Sequence, residues 1–245
     1  TDDNSNTVTA TQIVTVEDDI VPDFSFVPLD LTVECDVNTT DTANTGGSAT
    51  ATDNCDNNVE ITYTDSTVNG IGNNSVITRE WTATDDSGNV STEDQVITVE
   101  DTTAPTITAP AAVTVNVDAG TCEAIGVALG NAIVSDNCDD DLVATNNAPL
   151  SFPLGDTTVT WTVTDDNSNT VTATQIVTVE DNIAPTANTT NITVELDANG
   201  AATITASDVD DSSSDNCDNS PTLTIDQSTF DCDDVGNPVT VTLTV

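Results

Sequence analysis

The chain has 245 residues, of which 43 are Asp or Glu and one, Arg79, is basic; Lys and His are absent and the formal net charge is −42. With almost nothing to neutralise phosphates, nucleic acid is excluded as a natural partner, and so is an anionic membrane surface; membrane insertion of this segment is not expected. Without His or Lys the usual nucleophile–base pairs are missing, and the few aromatic residues suggest no cleft in which two carboxylates could hydrolyse a glycoside, so an enzyme is not expected.

The first stretch, TDDNSNTVTATQIVTVED at Thr1–Asp18, returns letter for letter at Thr164–Asp181, and a degraded copy, TDDSGNVSTEDQVITVED, stands at Thr84–Asp101. The interval of roughly 80 residues is that of a small domain, longer than a solenoid repeat. Three units in tandem are read, cut out of phase. Residues 1–19 are the last hairpin strand of a preceding domain. Residues 20–103 and 104–183 are two complete domains, and 184–245 is a third that lacks its final strand. This framing implies a segment of a longer array.

Within each unit the elements follow one order. Pro22, Pro105 and Pro185 open the units, and a strand follows, LTVECD at Leu31–Asp36 or AVTVNVD at Ala112–Asp118. Next come the DNC loops, ATDNCD at Ala51–Asp56 and SDNCDD at Ser135–Asp140. A long alternating strand then places Val159, Trp161 and Val163 on one face, and its hairpin partner aligns Val171, Ala173, Gln175, Val177 and Val179. β-Branched residues in period-two alternation, separated by Asp, Asn and Gly turns and without any 3.6-residue apolar period, indicate an all-β fold of immunoglobulin-like β-sandwiches. Trp81, Trp161 and Leu243 occupy equivalent core positions. Arg79 shares the inward parity of Trp81; the expectation is that it lies near a strand end and reaches out to a carboxylate.

Six Cys fall two per unit, and pairing within units gives Cys35–Cys55, Cys122–Cys138 and Cys217–Cys232. Small, aromatic-poor domains benefit from such staples, and even cysteine numbers point to an oxidising, extracellular location. Sequons at Asn38, Asn73, Asn89, Asn188 and Asn191 are weak signals in so Thr-rich a chain.

The run FPLGDTTVTWTVTDDNSNTVTATQIVTVED resembles the second half of a hyalin-repeat (HYR) domain, an immunoglobulin-like module; TCEA and SDNC extend the resemblance across 104–183. The flanking units, with LTVECD, ITREWTATDDSGN and FDCDDVGNPVTVTLTV, resemble sister repeats of large surface adhesins of Bacteroidota-type bacteria. The turn DDNSN at 165–169 departs from the pattern by lacking its Gly. The resemblance implies an extracellular adhesin or filament.

In such a sandwich the incoming linker, the DNC loop and the last hairpin turn share one end. Here all three are acidic. The first junction would gather Glu17, Asp18 and Asp19 with Asp53, Asp56, Asp85 and Asp86. The second would gather Glu100 and Asp101 with Asp136, Asp139, Asp165 and Asp166. The third would gather Glu180, Asp181, Asp215 and Asp218. Two unit charges 4 Å apart repel by roughly 4 kcal/mol at an effective dielectric of 20. Protons or a cation must intervene, and an all-oxygen set without His suits Ca²⁺ over Zn²⁺. The expectation is one or two Ca²⁺ per junction, locking the units into a linear rod, as in cadherin-type junctions by analogy. Partners would be neighbouring repeats of the same chain or fibre. The alternative is a module that binds an external surface or glycan through its Thr-rich strands.

Overall fold

A computed structural model describes residues 3–245, whose regular structure is nearly all strand, joined by turns and irregular segments. Thr1 and Asp2, the start of the expected N-terminal strand, lie outside the described residues, and residues 5–22 form no regular strand. The chain packs as two compact units, one of Thr1–Thr106, Val134–Val143 and Val163–Val171, the other of Ile107–Ile133, Ala144–Thr162 and Thr172–Val245.

The first unit contains β1 (Asp23–Phe26), β2 (Leu31–Glu34), β3 (Thr50–Thr52), β4 (Glu60–Asn69), β5 (Ser75–Thr84) and β6 (Val90–Glu100). β4, β5 and β6 form an antiparallel meander in which Trp81 faces Tyr63 on one side and Glu93 on the other. β2 joins β6 in parallel, from Leu31 opposite Ile97 to Glu34 opposite Glu100, giving the order β2-β6-β5-β4; β1 and β3 pair separately. Alternation decides the faces. Ile77, Arg79, Trp81 and Ala83 of β5 and Gln95, Ile97 and Val99 of β6 are buried, while their neighbours in sequence are half-buried or exposed.

Arg79 corrects the sequence reading. It lies in the middle of β5 and is fully buried, with 0% exposure. Its cross-strand partner is Asp65. Nε donates to Asp65 Oδ1 at 2.8 Å and one terminal nitrogen to Oδ2 at 2.9 Å; the guanidinium also donates to Thr45 Oγ1 and to the carbonyl of Thr39. The plane lies over the Tyr63 ring, 4.1 Å from its centroid, and Tyr63 packs against Trp81. Four of the five N–H donors find acceptors and a ring face covers the plane, so parity prevails over the expectation that a charge would escape to water. Asp65 and its hydrogen bonds hold the Arg79 pKa above its ordinary value, against the burial that would lower it.

The second repeat has β7 (Thr106–Thr108), β8 (Val113–Asn116), β9 (Glu123–Ile125), β10 (Ile133–Ser135), β11 (Thr145–Asn146), β12 (Ser151–Pro153), β13 (Gly155–Thr164) and β14 (Thr170–Glu180). Its main sheet runs β11-β13-β14-β8, with β8 parallel to β14 from Val113 opposite Val177 to Asn116 opposite Glu180. Val117, Ala124, Phe152, Val159, Trp161, Val177 and Val179 make the core. Gln175 is the polar member of this face. Its amide donates to the carbonyls of Ala111 and Leu129 and its oxygen accepts from Trp161 Nε1 at 3.1 Å. Both repeats are immunoglobulin-like β-sandwiches, as the alternation indicates.

The third repeat is sparser, with β15 (Ala202–Thr203), the four-residue helix α1 (Ala206–Val209), β16 (Thr224–Ile225), β17 (Thr229–Phe230) and β18 (Leu243–Thr244) around Ile204, Val209 and Leu243. Residues 191–197, the counterpart of β2 and β8, take no strand. β2 and β8 are strands because β6 and β14 lie beside them.

Candidate metal centre

Three Asp-Asn-Cys-Asp loops close the same turn. Asp53 Oδ1 accepts from the backbone N–H of Cys55 at 2.8 Å and of Asp56 at 3.0 Å. Asp136 does so from Cys138 and Asp139, and Asp215 from Cys217 and Asp218. One carboxylate oxygen is thereby committed to the turn. The second is left over. In Asp53 and Asp136 that Oδ2 is buried and without a hydrogen-bond partner. Burying an acceptor unpaired costs about 1–3 kcal/mol, and more when it is charged.

The β5–β6 hairpin turn comes to the first of these loops. Asp85, 6% exposed, accepts at Oδ1 from the N–H groups of Ser87 and Asn89, and at Oδ2 from Asn89 Nδ2 at 2.8 Å. Burial pushes its pKa up, but the bonds from Asn89, Ser87 and Gly88 outweigh it and hold the carboxyl below its ordinary value. Asn89 Nδ2 also donates to the carbonyl of Asp18, tying turn to linker, and the N–H of Asp86 donates to Asp56 Oδ2, tying turn to loop. Carboxylate oxygens of Asp18, Asp53 and Asp85 all lie within 4.8 Å of one another.

The β13–β14 turn repeats these bonds inside the same compact unit. Asp165 Oδ1 accepts from the N–H groups of Asn167 and Asn169, Asn169 Nδ2 donates to the carbonyl of Asp101 at 3.2 Å, and Asp166 N–H donates to Asp139 Oδ2. Asp165 Oδ2 is buried and unpaired. The missing Gly of DDNSN has a simple outcome: Ser168 adopts a φ of +74° where Gly88 has +87°. Around this turn a polar network gathers that has no counterpart at the first among the described residues. Asn74 Nδ2 donates to Asn167 Oδ1 at 2.8 Å, Asn74 Oδ1 accepts from Asp101 N–H, and Asn167 Nδ2 donates to Asp101 Oδ2 and to the carbonyl of Gly72. Gly72 has a φ of +61°, and a Cβ there would stand 2.8 Å from Asn167 Oδ1. Only glycine allows this approach. Glu34 accepts from the hydroxyl and N–H of Thr102, which lowers its pKa. Glu34, Asp101 and Cys138 also place ligand atoms within 4.8 Å of one another, but the Cys138 sulfur is spent in a disulfide.

The predicted residues therefore divide. Asp18, Asp53 and Asp85 converge, with Asp56 and Asp86 bonded at their side. Asp101, Asp139, Asp165 and Asp166 are joined through one hydrogen-bond network, and Asp136 turns the adjoining loop. In the third set, Asp181 caps its own linker through Ile183 N–H, and Asp215 and Asp218 stay within their loop. Glu17, Asp19, Glu100 and Glu180 are exposed, outside these clusters. Sequence reasoning missed Glu34, Asn74, Asn89, Asn167 and Asn169. The recurrence of Asn four residues after Asp85 and Asp165 was the signal for two of them. Asn73 and Asn89, both in sequons, spend their amides on the Cys138 carbonyl and on Asp18 and Asp85.

The disulfide pairing expected within units is wrong. The bonds are Cys35–Cys138 and Cys122–Cys217, with Cα separations of 5.9 and 5.0 Å, and Cys55 and Cys232 are free thiols. Cys35 follows β2, beside the end of β6, whereas Cys55 sits beside the turn that begins β6. An 11-residue strand separates them, roughly 35 Å at about 3.3 Å per residue, while a disulfide requires Cα atoms within about 7 Å. The first cysteine of one repeat instead meets the DNC loop of the next.

Residues 100–179 match the HYR domain family. HYR domains are extracellular modules, and no helix among the described residues is long and apolar enough to cross a membrane. No curated protein sequence matches the chain. Solved structures similar to it include human mucin-like protocadherin EC1-2, at 13% identity and a TM-score of 0.28, covering 65% of this chain and 98% of that one. Protocadherin gamma B7 domains 1–4 align at 11% identity and 0.34, covering 85% and 63%. The human desmocollin-1 ectodomain aligns at 11% identity and 0.25, covering 83% and 48%. A likeness at this level carries no functional argument.

Proposed function

We propose that the chain is part of an extracellular structural array whose repeats, with boundaries near 19, 103 and 183, are stiffened into a rod by calcium at their junctions. Asp18, Asp53 and Asp85 would hold the ion at the first junction, with Asp56 beside them. At the second, Asp101, Asp136 and Asp165 with Glu34 would do so, and at the third Asp181 and Asp215. The observation that carries the reading is the Asp53 carboxylate, one oxygen fixed by its turn and the other buried and unpaired among two further carboxylates. The donors are all oxygen, which fits a hard cation. The ion would neutralise the convergence and tie linker, loop and turn together. The role is mechanical spacing, without catalysis.

Calcium titration by calorimetry and thermal melts tests this. Calcium at about 100 times its Kd is expected to add about 2.7 kcal/mol of stability, and EGTA to remove it. Asp53→Asn should weaken binding at one junction and leave the melt in EGTA nearly unchanged. Equal melts in calcium and EGTA, with no binding heat, would overturn the reading.

A further inference from the structure

The main sheet of the first repeat ends on β4, and that edge is open. The register of β4 against β5 runs from Glu60 opposite Thr84 to Asn69 opposite Ser75 without a shift. Just beyond the last pair, Gly70 N–H donates to the Asn74 carbonyl at 2.7 Å. Hydrogen-bonded and non-bonded pairs alternate along an antiparallel ladder. Counting back from Gly70, the N–H and C=O groups of Val68, Ser66, Thr64, Thr62 and Glu60 are spent on β5. Those of Asn69, Thr67, Asp65, Tyr63 and Ile61 point the other way. The far side of β5 gives the same phase. Asp85 N–H donates to the Asn89 carbonyl, so the odd-numbered residues of β5 bond β6 and the even-numbered ones are left for β4. In the order β2-β6-β5-β4 no strand lies beyond β4 among the described residues.

An edge of this kind is normally blunted by Lys, Pro, a bulge, an inward-pointing charge or short length. The second repeat does this. β11 is two residues long, Asn147 turns its side-chain oxygen to the Thr160 N–H at 2.7 Å, and Pro149 follows. β4 has ten residues, with no Pro, no Lys and no bulge. Its one inward charge, Asp65, is answered by Arg79.

What this edge fits follows from charge. On the outer face Thr64 stands opposite Glu80 and Glu80 opposite Asp94, with Glu60 at the start of β4 itself. No cation answers them, since Arg79 is the chain's one basic residue and is buried on the other face. A strand added about 4.8 Å from β4 would bring a Lys or Arg beside Thr64, whose short side chain leaves Glu80 within reach of a long one. A second copy of the chain would instead bring another net charge of −42.

We propose that the open edge of β4 takes an extended, Lys- or Arg-rich segment of another protein as an additional strand. Backbone bonds to the outward groups between Ile61 and Asn69 set the register, and alternate basic side chains over Glu60, Glu80 and Asp94 give the selectivity.

The test uses the whole chain and a peptide of about ten residues alternating Lys and Thr, long enough to line β4. Hydrogen exchange followed by NMR should show the amides of Ile61, Tyr63, Asp65, Thr67 and Asn69 exchanging fast in the free chain and protected as peptide is added. Those of Thr62, Thr64 and Ser66 should be protected throughout. Binding should weaken as salt is raised. Thr67→Pro removes one outward N–H that the β4–β5 ladder does not use, so the sheet is kept and the affinity should fall about tenfold. A peptide alternating Lys and Pro has the same charge and half the N–H groups. It puts the same question to the unaltered chain and should also lose affinity. Undiminished binding of that peptide, or of Thr67→Pro folded by circular dichroism, would reduce the attraction to charge alone and overturn the proposal. So would an absence of binding, equal binding of a Glu-Thr peptide, or protection of the same amides by self-association without peptide.

Discussion

The first and second carboxylate junctions start from the same parts and end differently. Both have an Asp-Asn-Cys-Asp loop, a hairpin turn opened by Asp and closed by Asn, and a linker carbonyl held by that Asn. At the first, Asp18, Asp53 and Asp85 face one another. At the second, Asn74 and Asn167 lie between the linker and the turn, Glu34 holds Thr102, and a disulfide crosses from Cys35. Two turn residues differ, Ser87 and Gly88 in one standing where the other has Asn167 and Ser168, and it is Asn167 that reaches the linker. The second junction is thus held by amides and a covalent bond as well as by acid groups. The first rests on its carboxylates. Calcium should therefore matter more at the first junction than at the second.

The two cores differ in a parallel way. Arg79 and Val159 stand two residues before the core Trp of their repeats. Where the first repeat buries a guanidinium with Asp65, Tyr63 and Thr45, the second packs Val159 with Phe152. Importing the second solution into the first should have the largest effect. Arg79→Val leaves Asp65 without its cation, and the loss on denaturant unfolding should be about 3–5 kcal/mol. Arg79→Val with Asp65→Ala should recover a large part of it. Equal losses in both variants would mean that packing, rather than the ion pair, carries the first core.

Next in size is the covalent difference. Replacing Cys35 and Cys138 by Ala opens a bond that spans 103 residues, and should cost about 2–5 kcal/mol in a thermal or urea melt. Asn167→Ser makes the second turn resemble the first. It removes the amide bonds to Asp101 and Gly72 and should cost about 1–2 kcal/mol, while raising the calcium dependence of the melt. The smallest change sharpens the comparison of the turns themselves. Ser168→Gly relieves a left-handed serine and should stabilise by about 0.5–1 kcal/mol, whereas Gly88→Ser should destabilise by a similar amount.

Alternation made the strands legible because one face of each is buried, and parity alone places Gln175 with Val177 and Val179 on that face. The parity of Arg79 was equally plain; the error lay in letting its charge overrule its position, because the Asp65 that balances it sits on another strand. The acidic loops were legible as turns from Asp-Asn-Cys-Asp. Their unpaired Oδ2 atoms were not, since burial of a single oxygen depends on what packs over it. The disulfides misled because two cysteines near in sequence lie at opposite ends of a sandwich. Asn74 and Asn167 meet across 93 residues, and nothing local marks either one.

The two disulfides overlap in sequence. Cys35–Cys138 and Cys122–Cys217 share the stretch 122–138, so the shortest covalent route along the chain jumps from 35 to 138, runs backwards to 122 and jumps again to 217. A pull on the two termini would travel that route. Most of both enclosed loops would bear no tension and could not pay out as slack, so the segment would resist lengthening under load even after its sheets had come apart.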